Sequence, residues 1–376
     1  MFQQIQHHPT LKIGILRSSA IGDVVLATSL LHLLEQLPIR WEVTWVGKDP
    51  SLSLIKSCWP NIRASSLSDP RSSILNNLNN CHFIIDLQNN ARSVLLRQQF
   101  YFLTKRKTYA PSKMWTKRRF LVTKAYLYGR SQNLKSQPTS WNFQAMVDTL
   151  KKALTEHLPE DMHDQILKTE ARPQLPINHL PTTTPWLQNM DAYQWLAIAP
   201  GASHLPKQAP VQIFTRILEE LFQKVPDAWK NNLGLVLLGT REERSRSRQL
   251  LDSLSWTPHS LNLAGELSLV ETTAILKHCS ILLGNDSAPA HLAEAVQTPV
   301  SILFGPTTEQ FGFAPHSSSS RAFSVPLGCR PCSLHGKNPC RFEDYLCYQG
   351  IQADSVAEHI MGQLWRNHIP TSQKPS

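Results

Sequence analysis

Hydrophobic positions fall into short runs separated by polar turns, and the runs recur in one order. Leu11-Lys12-Ile13-Gly14-Ile15-Leu16 reads as a buried strand that feeds Arg17-Ser18-Ser19-Ala20-Ile21-Gly22-Asp23. A helix is predicted from Val24 to Gln36, and Glu42–Gly47 and His82–Leu87 read as the next strands. Strands alternating with helices imply a parallel, doubly wound sheet. Residues 172–185, RPQLPINHLPTTTP, hold four prolines and no periodicity, which marks an interdomain linker. The order then restarts. Strands are predicted at Trp195–Ala199 and Leu233–Leu238, and helices at Val211–Gln223, Glu242–Leu254 and Ser268–His278. Ile281–Leu283 follows, then the turn Gly284-Asn285-Asp286-Ser287, a helix, and a strand over Val300–Phe304. A last helix is predicted over Asp354–Asn367, long enough to pack back across a cleft. The expected division is a first domain over 1–175, a linker over 176–190, a second domain over 191–350, and a C-terminal helix and tail over 351–376.

At 376 residues the chain can bury two cores, and its apolar share of 41% with 18% charged residues is that of an ordinary soluble protein. No run of about twenty apolar residues offers a membrane span. The N-terminus lacks the basic and long apolar segments of a secretory signal, so a cytoplasmic location is expected. There, seven cysteines are expected as thiols or metal ligands before disulfides. The net charge of +10 is uneven: residues 1–170 carry 22 Lys and Arg against 12 Asp and Glu, and the rest is neutral. Between Asp86 and Asp148 there are twelve basic residues and no acidic one. The densest part, Arg97 to Arg119, interleaves Phe100, Tyr101, Phe102, Tyr109 and Trp115 with its cations. Such a stretch is either a solvated basic face or a surface for anionic lipid, a phosphorylated glycan or nucleic acid. No nucleic-acid-binding module accompanies it, so nucleic acid is not the expected partner.

The candidate chemistry sits at strand ends, where open parallel sheets bind ligands. In the turn 284–287, free backbone N–H groups, a helix start and small hydroxyl residues suit a phosphate, and His291 lies one helical turn beyond Ser287. Asp23 opens the first helix, either as its cap or as a general base, and Asp286 has the same two readings. Lys207, in the loop Pro200-Gly201-Ala202-Ser203-His204-Leu205-Pro206-Lys207, can balance a diphosphate as a point charge. Glu243, after Gly239-Thr240, either bonds a ribose hydroxyl or favours its helix N-terminus. Cys329, Cys332, Cys340 and Cys347 give C-x2-C-x7-C-x6-C; the first pair has metal-knuckle spacing, the later spacings match no standard zinc pattern. A structural zinc and reduced structural thiols both remain readings of this cluster.

Taken together, RSSAIGD (17–23), PGASHLPK (200–207), LGTREE (238–243) and GNDSAPAHLAEA with LFGPT (284–307) resemble glycosyltransferase family 9. These are the heptosyltransferases of bacterial lipopolysaccharide core assembly. The cysteine-bearing tail is similar to that of a subset of the family. The resemblance implies a GT-B fold, two Rossmann-like domains facing a central cleft, with acceptor on the first and nucleotide-sugar donor on the second. It implies an inverting, metal-independent transfer of heptose, or a related sugar, from an ADP-heptose-like donor to a lipid-linked anionic glycan. Another nucleotide sugar and surface glycan, or a non-catalytic GT-B binding protein, are the rivals. Asp23 matches the base and Lys207 the lysine beside the donor diphosphate. Donor contacts are expected from Ser203, Thr240, Glu243, Asn285, Asp286, Ser287, Ala288 and His291. Acceptor contacts are expected from Ser19, Gly22, Lys105, Arg106, Lys107, Lys113, Arg118 and Arg119. Peripheral contact with the anionic inner leaflet follows from such an acceptor. Ala288 replaces a glycine common in the family, and Gln208-Ala209-Pro210 replaces Arg-Trp-Pro after the lysine.

Overall fold

The computed structural model describes residues 10–112, 115–129, 141–176 and 185–365. Two compact units divide the chain: one takes residues 1–113 and 143–179, the other 114–142 and 180–376. The expected first domain ran unbroken to 175; instead an internal segment of it belongs to the second unit.

In the first unit the strands are β1 (Leu11–Leu16), β2 (Trp41–Gly47), β3 (Arg63–Ser66), β4 (Phe83–Asp86) and β5 (Thr108–Tyr109). Its helices are α1 (Ile21–Ala27), α2 (Ser29–Glu35), α3 (Ser51–Cys58), α4 (Arg71–Leu78) and α5 (Ala91–Thr104). α6 (Trp115–Tyr128) lies in the second unit, and α7 (Trp141–Thr155) and α8 (His163–Lys168) return to the first. All five strands are parallel, in the order β3-β2-β1-β4-β5. Helices cover the sheet because its central strands are apolar on both faces, as parallel strands require. Leu16, Val46, Leu78, Ile84, Leu96 and Phe100 pack one such layer. The single helix expected over Val24–Gln36 is broken at Thr28. Its fully buried hydroxyl donates to the Val25 carbonyl at 2.7 Å and accepts from the Gln174 N–H at 3.2 Å.

The second unit holds β6 (Gln194–Ala199), α9 (Val211–Lys224), α10 (Asp227–Lys230), β7 (Leu233–Leu237), α11 (Arg244–Asp252), β8 (His259–Asn262) and α12 (Leu269–Lys277). β9 (Ile281–Asn285), α13 (Ala288–Ala295), β10 (Val300–Phe304), β11 (Arg321–Ser324), α14 (Leu346–Gln349) and α15 (Ala353–Leu364) complete it. Its six strands are parallel, in the order β11-β10-β9-β6-β7-β8. α15 belongs to this unit's own core, and residues 366–376 of the expected C-terminal helix and tail lie outside the described residues. Its Val356, Ala357, Ile360 and Leu364 bury with Phe214, Ile217 and Leu221 of α9. Among the described residues no helix is long and apolar enough to cross a membrane.

Candidate functional site

In both sheets the strand order reverses beside the first strand, between β1 and β4 and between β6 and β9. Loops leaving the carboxyl ends at such a point diverge and leave a crevice, and each unit gathers its polar residues there.

In the second unit, Asn285 at the end of β9 is fully buried. Its amide nitrogen donates to the carbonyls of Pro200 (2.8 Å) and Gly201 (3.2 Å), and its amide oxygen accepts from Ala209 N–H at 3.0 Å. Arg246 of α11 grips the same loop, donating to the Pro200 carbonyl at 3.0 Å and to the Ala209 carbonyl. The loop after β6 is thus pinned at both ends, and Lys207 lies two residues before its second anchor, Ala209. The Lys207 ammonium meets the Asp286 carboxylate at 2.7 Å, with side chains 15% and 5% exposed. Thr307, after β10, donates its hydroxyl to the same carboxylate at 2.8 Å. Burial pushes the Asp286 carboxyl up, but the charge and hydrogen bond of Lys207, then His291 and Thr307, outweigh it and hold it below the usual carboxylate range. Asp286 is therefore an ion-pair partner one residue ahead of the helix cap.

Ser287 is the N-cap of α13, yet its side chain caps no backbone N–H, and its buried hydroxyl oxygen has no hydrogen-bond partner among the described residues. An unsatisfied buried hydroxyl beside a held ammonium at a helix start can take an anion. His291 is buried in α13 with its ring 5.7 Å from that of Phe313, and Ala288 is half-buried at the first helical position. Glu243 accepts from the Thr240 N–H at 2.8 Å and its carboxyl lies against Gly201, which sets it beside the Lys207 loop. Ser203 and Thr240 are exposed. The donor residues expected from sequence are thus gathered at neighbouring strand ends.

In the first unit, Asp23 stands in the first turn of α1. Its carboxylate pairs with Arg17 at 2.5 Å, accepts from Ala20 N–H at 3.3 Å and remains a quarter exposed. Across the β1/β4 switch point, Gln88 accepts from Ser18 N–H (3.0 Å), the Ser18 hydroxyl (3.1 Å) and Ser19 N–H (3.2 Å). Arg17 itself donates to the Leu87 carbonyl at 2.6 Å. Leu16, Arg17, Ser18, Gln88, Asn90 and Arg92 are among the residues lining a pocket of about 280 Å³ there. Ser19 is exposed and Gly22 buried.

The basic run is not gathered at this point. Lys105, Arg106 and Lys107 directly precede β5 and so lie at the amino edge of the sheet, opposite the edge that carries Asp23. Arg106 donates to the carbonyls of Asn79 and Cys81, both at 2.7 Å. Lys107 pairs with Glu156 at 2.9 Å, while Lys105 is exposed above the Tyr101 and Phe102 rings. Arg118 and exposed Arg119 belong to α6 of the second unit; Arg118 donates to the Leu334 carbonyl at 3.0 Å and covers the Phe311 ring. Lys113 lies outside the described residues.

Cys329, Cys332, Cys340 and Cys347 line one pocket of about 460 Å³, all as free thiols. Thiols suit a thiophilic ion, but among the described residues no three His, Cys, Asp or Glu side chains converge as a metal-binding group. Burial pushes the Cys332 thiol up to about 11 and the Cys347 thiol up to about 12, with the neighbouring thiols adding to the rise.

Sequence reasoning gave no role to Arg17, Gln88, Arg246 or Thr307. Arginines that end on backbone carbonyls leave no spacing pattern to read.

Residues 73–345 match the profile of glycosyltransferase family 9 (heptosyltransferase). Lipopolysaccharide heptosyltransferase 1 of Campylobacter coli is 21% identical over 79% of this chain and 84% of its own length. Matches to other curated heptosyltransferases are shorter; the first two span 16% and 32% of those proteins. Among solved structures, the Escherichia coli ADP-heptose lipopolysaccharide heptosyltransferase II superposes with a TM-score of 0.64, at 17% identity, over 96% of this chain and 100% of that one. The iron-containing dodecameric glycosyltransferase TibC from enterotoxigenic E. coli gives 0.51 at 13% identity, over 96% and 77%. Two parallel-sheet α/β units with these neighbours are the GT-B fold. The chain belongs to glycosyltransferase family 9, the heptosyltransferase family.

Proposed function

We propose that this chain transfers a heptose from a nucleoside diphosphate donor, ADP-heptose first, to a hydroxyl of a lipopolysaccharide core or similar lipid-linked glycan, with inversion. The observation that carries the reading is the buried Lys207–Asp286–Thr307 cluster across the β6/β9 switch point, with the Ser287 hydroxyl left unpartnered beside it. Asp23 takes the proton of the acceptor hydroxyl while its oxygen attacks the anomeric carbon. The bond from that carbon to the diphosphate breaks, and the nucleoside diphosphate leaves with the electron pair. Negative charge grows on the leaving oxygen, where Lys207, the Ser287 hydroxyl and the N-terminus of α13 supply positive charge without a metal ion. A single displacement inverts the anomeric centre.

Nucleotide-induced thermal stabilisation tests the donor site. At a hundred times its dissociation constant, ADP is expected to stabilise the protein by about 2.7 kcal/mol. A shift with UDP or GDP in its place would move the sugar donor, and no shift with any nucleotide would leave a GT-B protein without its donor.

The proposal includes peripheral contact with the cytoplasmic face of the inner membrane. Tyr101, Phe102 and Leu103 on α5, and Phe120, Tyr126 and Leu127 on α6, are 48% to 73% exposed, and cations flank both groups. Aromatic and aliphatic side chains set among lysines and arginines suit an anionic lipid interface. The protein is expected to sediment with phosphatidylglycerol vesicles at low salt and to be released by Phe102→Asp with Leu103→Asp. Failure to bind anionic vesicles would remove the membrane from this reading.

A structural thiophilic ion at the four cysteines, zinc first, is also proposed, with no part in the displacement. Elemental analysis of the purified chain is expected to give about one metal equivalent, lost in Cys329→Ser. Iron in place of zinc would align the cluster with the description of TibC, and a metal-free chain would leave four reduced thiols.

A further inference from the structure

The loop that carries the cysteines reaches the donor lysine. Between β11 and α14 the chain has no regular helix or strand, and it folds over the turn that follows β10. The Cys332 N–H donates to the Pro306 carbonyl at 3.0 Å. The nearly buried Arg330 guanidinium donates to the carbonyls of Gly305 (2.5 Å), Thr307 (2.9 Å) and Val325 (2.6 Å). Thr307 in turn bonds Asp286, so the loop grips the partner of the lysine through its backbone.

Two further residues hold Lys207 itself. Gly336 adopts a φ of +71° and lies against the aliphatic stem of Lys207; a Cβ there would stand 2.1 Å from Lys207 Cγ and 2.5 Å from Cδ. Neither that backbone angle nor that space is open to another residue without moving the lysine. Tyr348, 1% exposed, donates its hydroxyl to the Lys207 carbonyl at 2.7 Å. Its ring fills the space over Gly305, where a Cβ would fall 2.1 Å from Tyr348 Cζ. Lys207 is therefore fixed at its head by Asp286, along its stem by Gly336 and at its backbone by Tyr348. A lysine has four rotatable side-chain bonds, and a free one would place its charge diffusely.

We propose that Gly336 and Tyr348 are positioning residues that aim the Lys207 ammonium, so that the cysteine-bearing loop sets affinity for a nucleoside diphosphate. This rests on the reading of Lys207 as a diphosphate contact. It is tested by calorimetric titration of ADP into the full chain as wild type, Lys207→Ala, Tyr348→Phe and Gly336→Ala, and into each of the last two combined with Lys207→Ala. Tyr348→Phe and Gly336→Ala are each expected to weaken ADP binding about tenfold in the wild-type background and to have no further effect once Lys207 is alanine. Equal losses in both backgrounds, or wild-type affinity in Tyr348→Phe, would overturn the inference. If Gly336→Ala fails to fold, Tyr348→Phe decides the question alone, because it removes one hydroxyl and keeps the core volume. Wild-type ADP affinity in Lys207→Ala would overturn the donor reading itself, a different result from failure of the two positioning variants.

Discussion

Replacing Asp23 with alanine is expected to lower turnover by about 100- to 10,000-fold, the range for loss of a positioned general base, with ADP affinity unchanged. The geometry explains why substitution separates the two readings of this residue. Its carboxylate accepts a 3.3 Å hydrogen bond from Ala20 N–H and pairs with Arg17, which are structural tasks, yet it stays a quarter exposed and reachable by an acceptor hydroxyl. Asp23→Asn keeps an oxygen for the Ala20 N–H and nearly the same shape, but it cannot take a proton. If the residue is the base, Asn is as inactive as Ala. If it only supports the helix start, Asn stays close to wild type, and that result would end its catalytic assignment. Arg17 keeps its bond to the Leu87 carbonyl in either variant, so melting temperature serves as a control.

The second large effect is expected at Lys207. Lys207→Ala removes the positive charge offered to the leaving diphosphate, which for a single preorganised donor is about 100- to 1,000-fold in turnover. It also strands the Asp286 carboxylate, 5% exposed, without its cation, and breaking a buried pair on one side costs about 3–5 kcal/mol of stability. Arginine is not expected to rescue, because its planar fork does not reproduce the compact ammonium that pairs with Asp286. The pH dependence has a definite sign. The Asp286 carboxyl is held below its usual range in the folded chain and returns to about 3.9 when unfolded. The pair's stabilisation is thus complete above the unfolded value and is lost as pH falls through the folded one. In Lys207→Ala the chief opposing charge is gone and burial pushes the folded carboxyl up, so this group no longer costs stability as pH falls and its share of the acid limb disappears. Urea titrations between pH 7 and pH 3 read this directly; coincident acid limbs for the two proteins would rule it out.

The central strands were legible because both faces are buried: β1, β2, β4, β6, β7, β9 and β10 are all mostly apolar. The four strands that sequence did not indicate, β3, β5, β8 and β11, are the edges of the two sheets. RASS, TY, HSLN and RAFS carry too few buried apolar positions to form a pattern, since an edge is covered on one side only. The turns after β6 and β9 were legible as chemistry, because small and charged residues at strand ends have few structural uses. Their supports were not. Asn285 could be read as a ligand contact, whereas it staples the Lys207 loop, and Arg246 and Arg330 act through carbonyls brought near by the fold alone. The basic run is continuous in sequence only. Its cations divide between the two units, because the chain leaves the first after Lys113 and returns at Phe143.

That detour bears on how the protein is made. Arg118 of α6 bonds Leu334, a residue 216 positions later, and the Tyr126 carbonyl accepts from Arg341, which is 215 positions later. At 5–20 residues per second, a ribosome separates these partners by roughly 10–40 s. During synthesis the first unit can complete its own sheet, yet α6 has emerged with its docking face uncovered. A nascent chain stalled before Leu334 is therefore expected to carry an acid-free, partly apolar helix open to chaperones or lipid, and the second unit closes over it only near the end of translation.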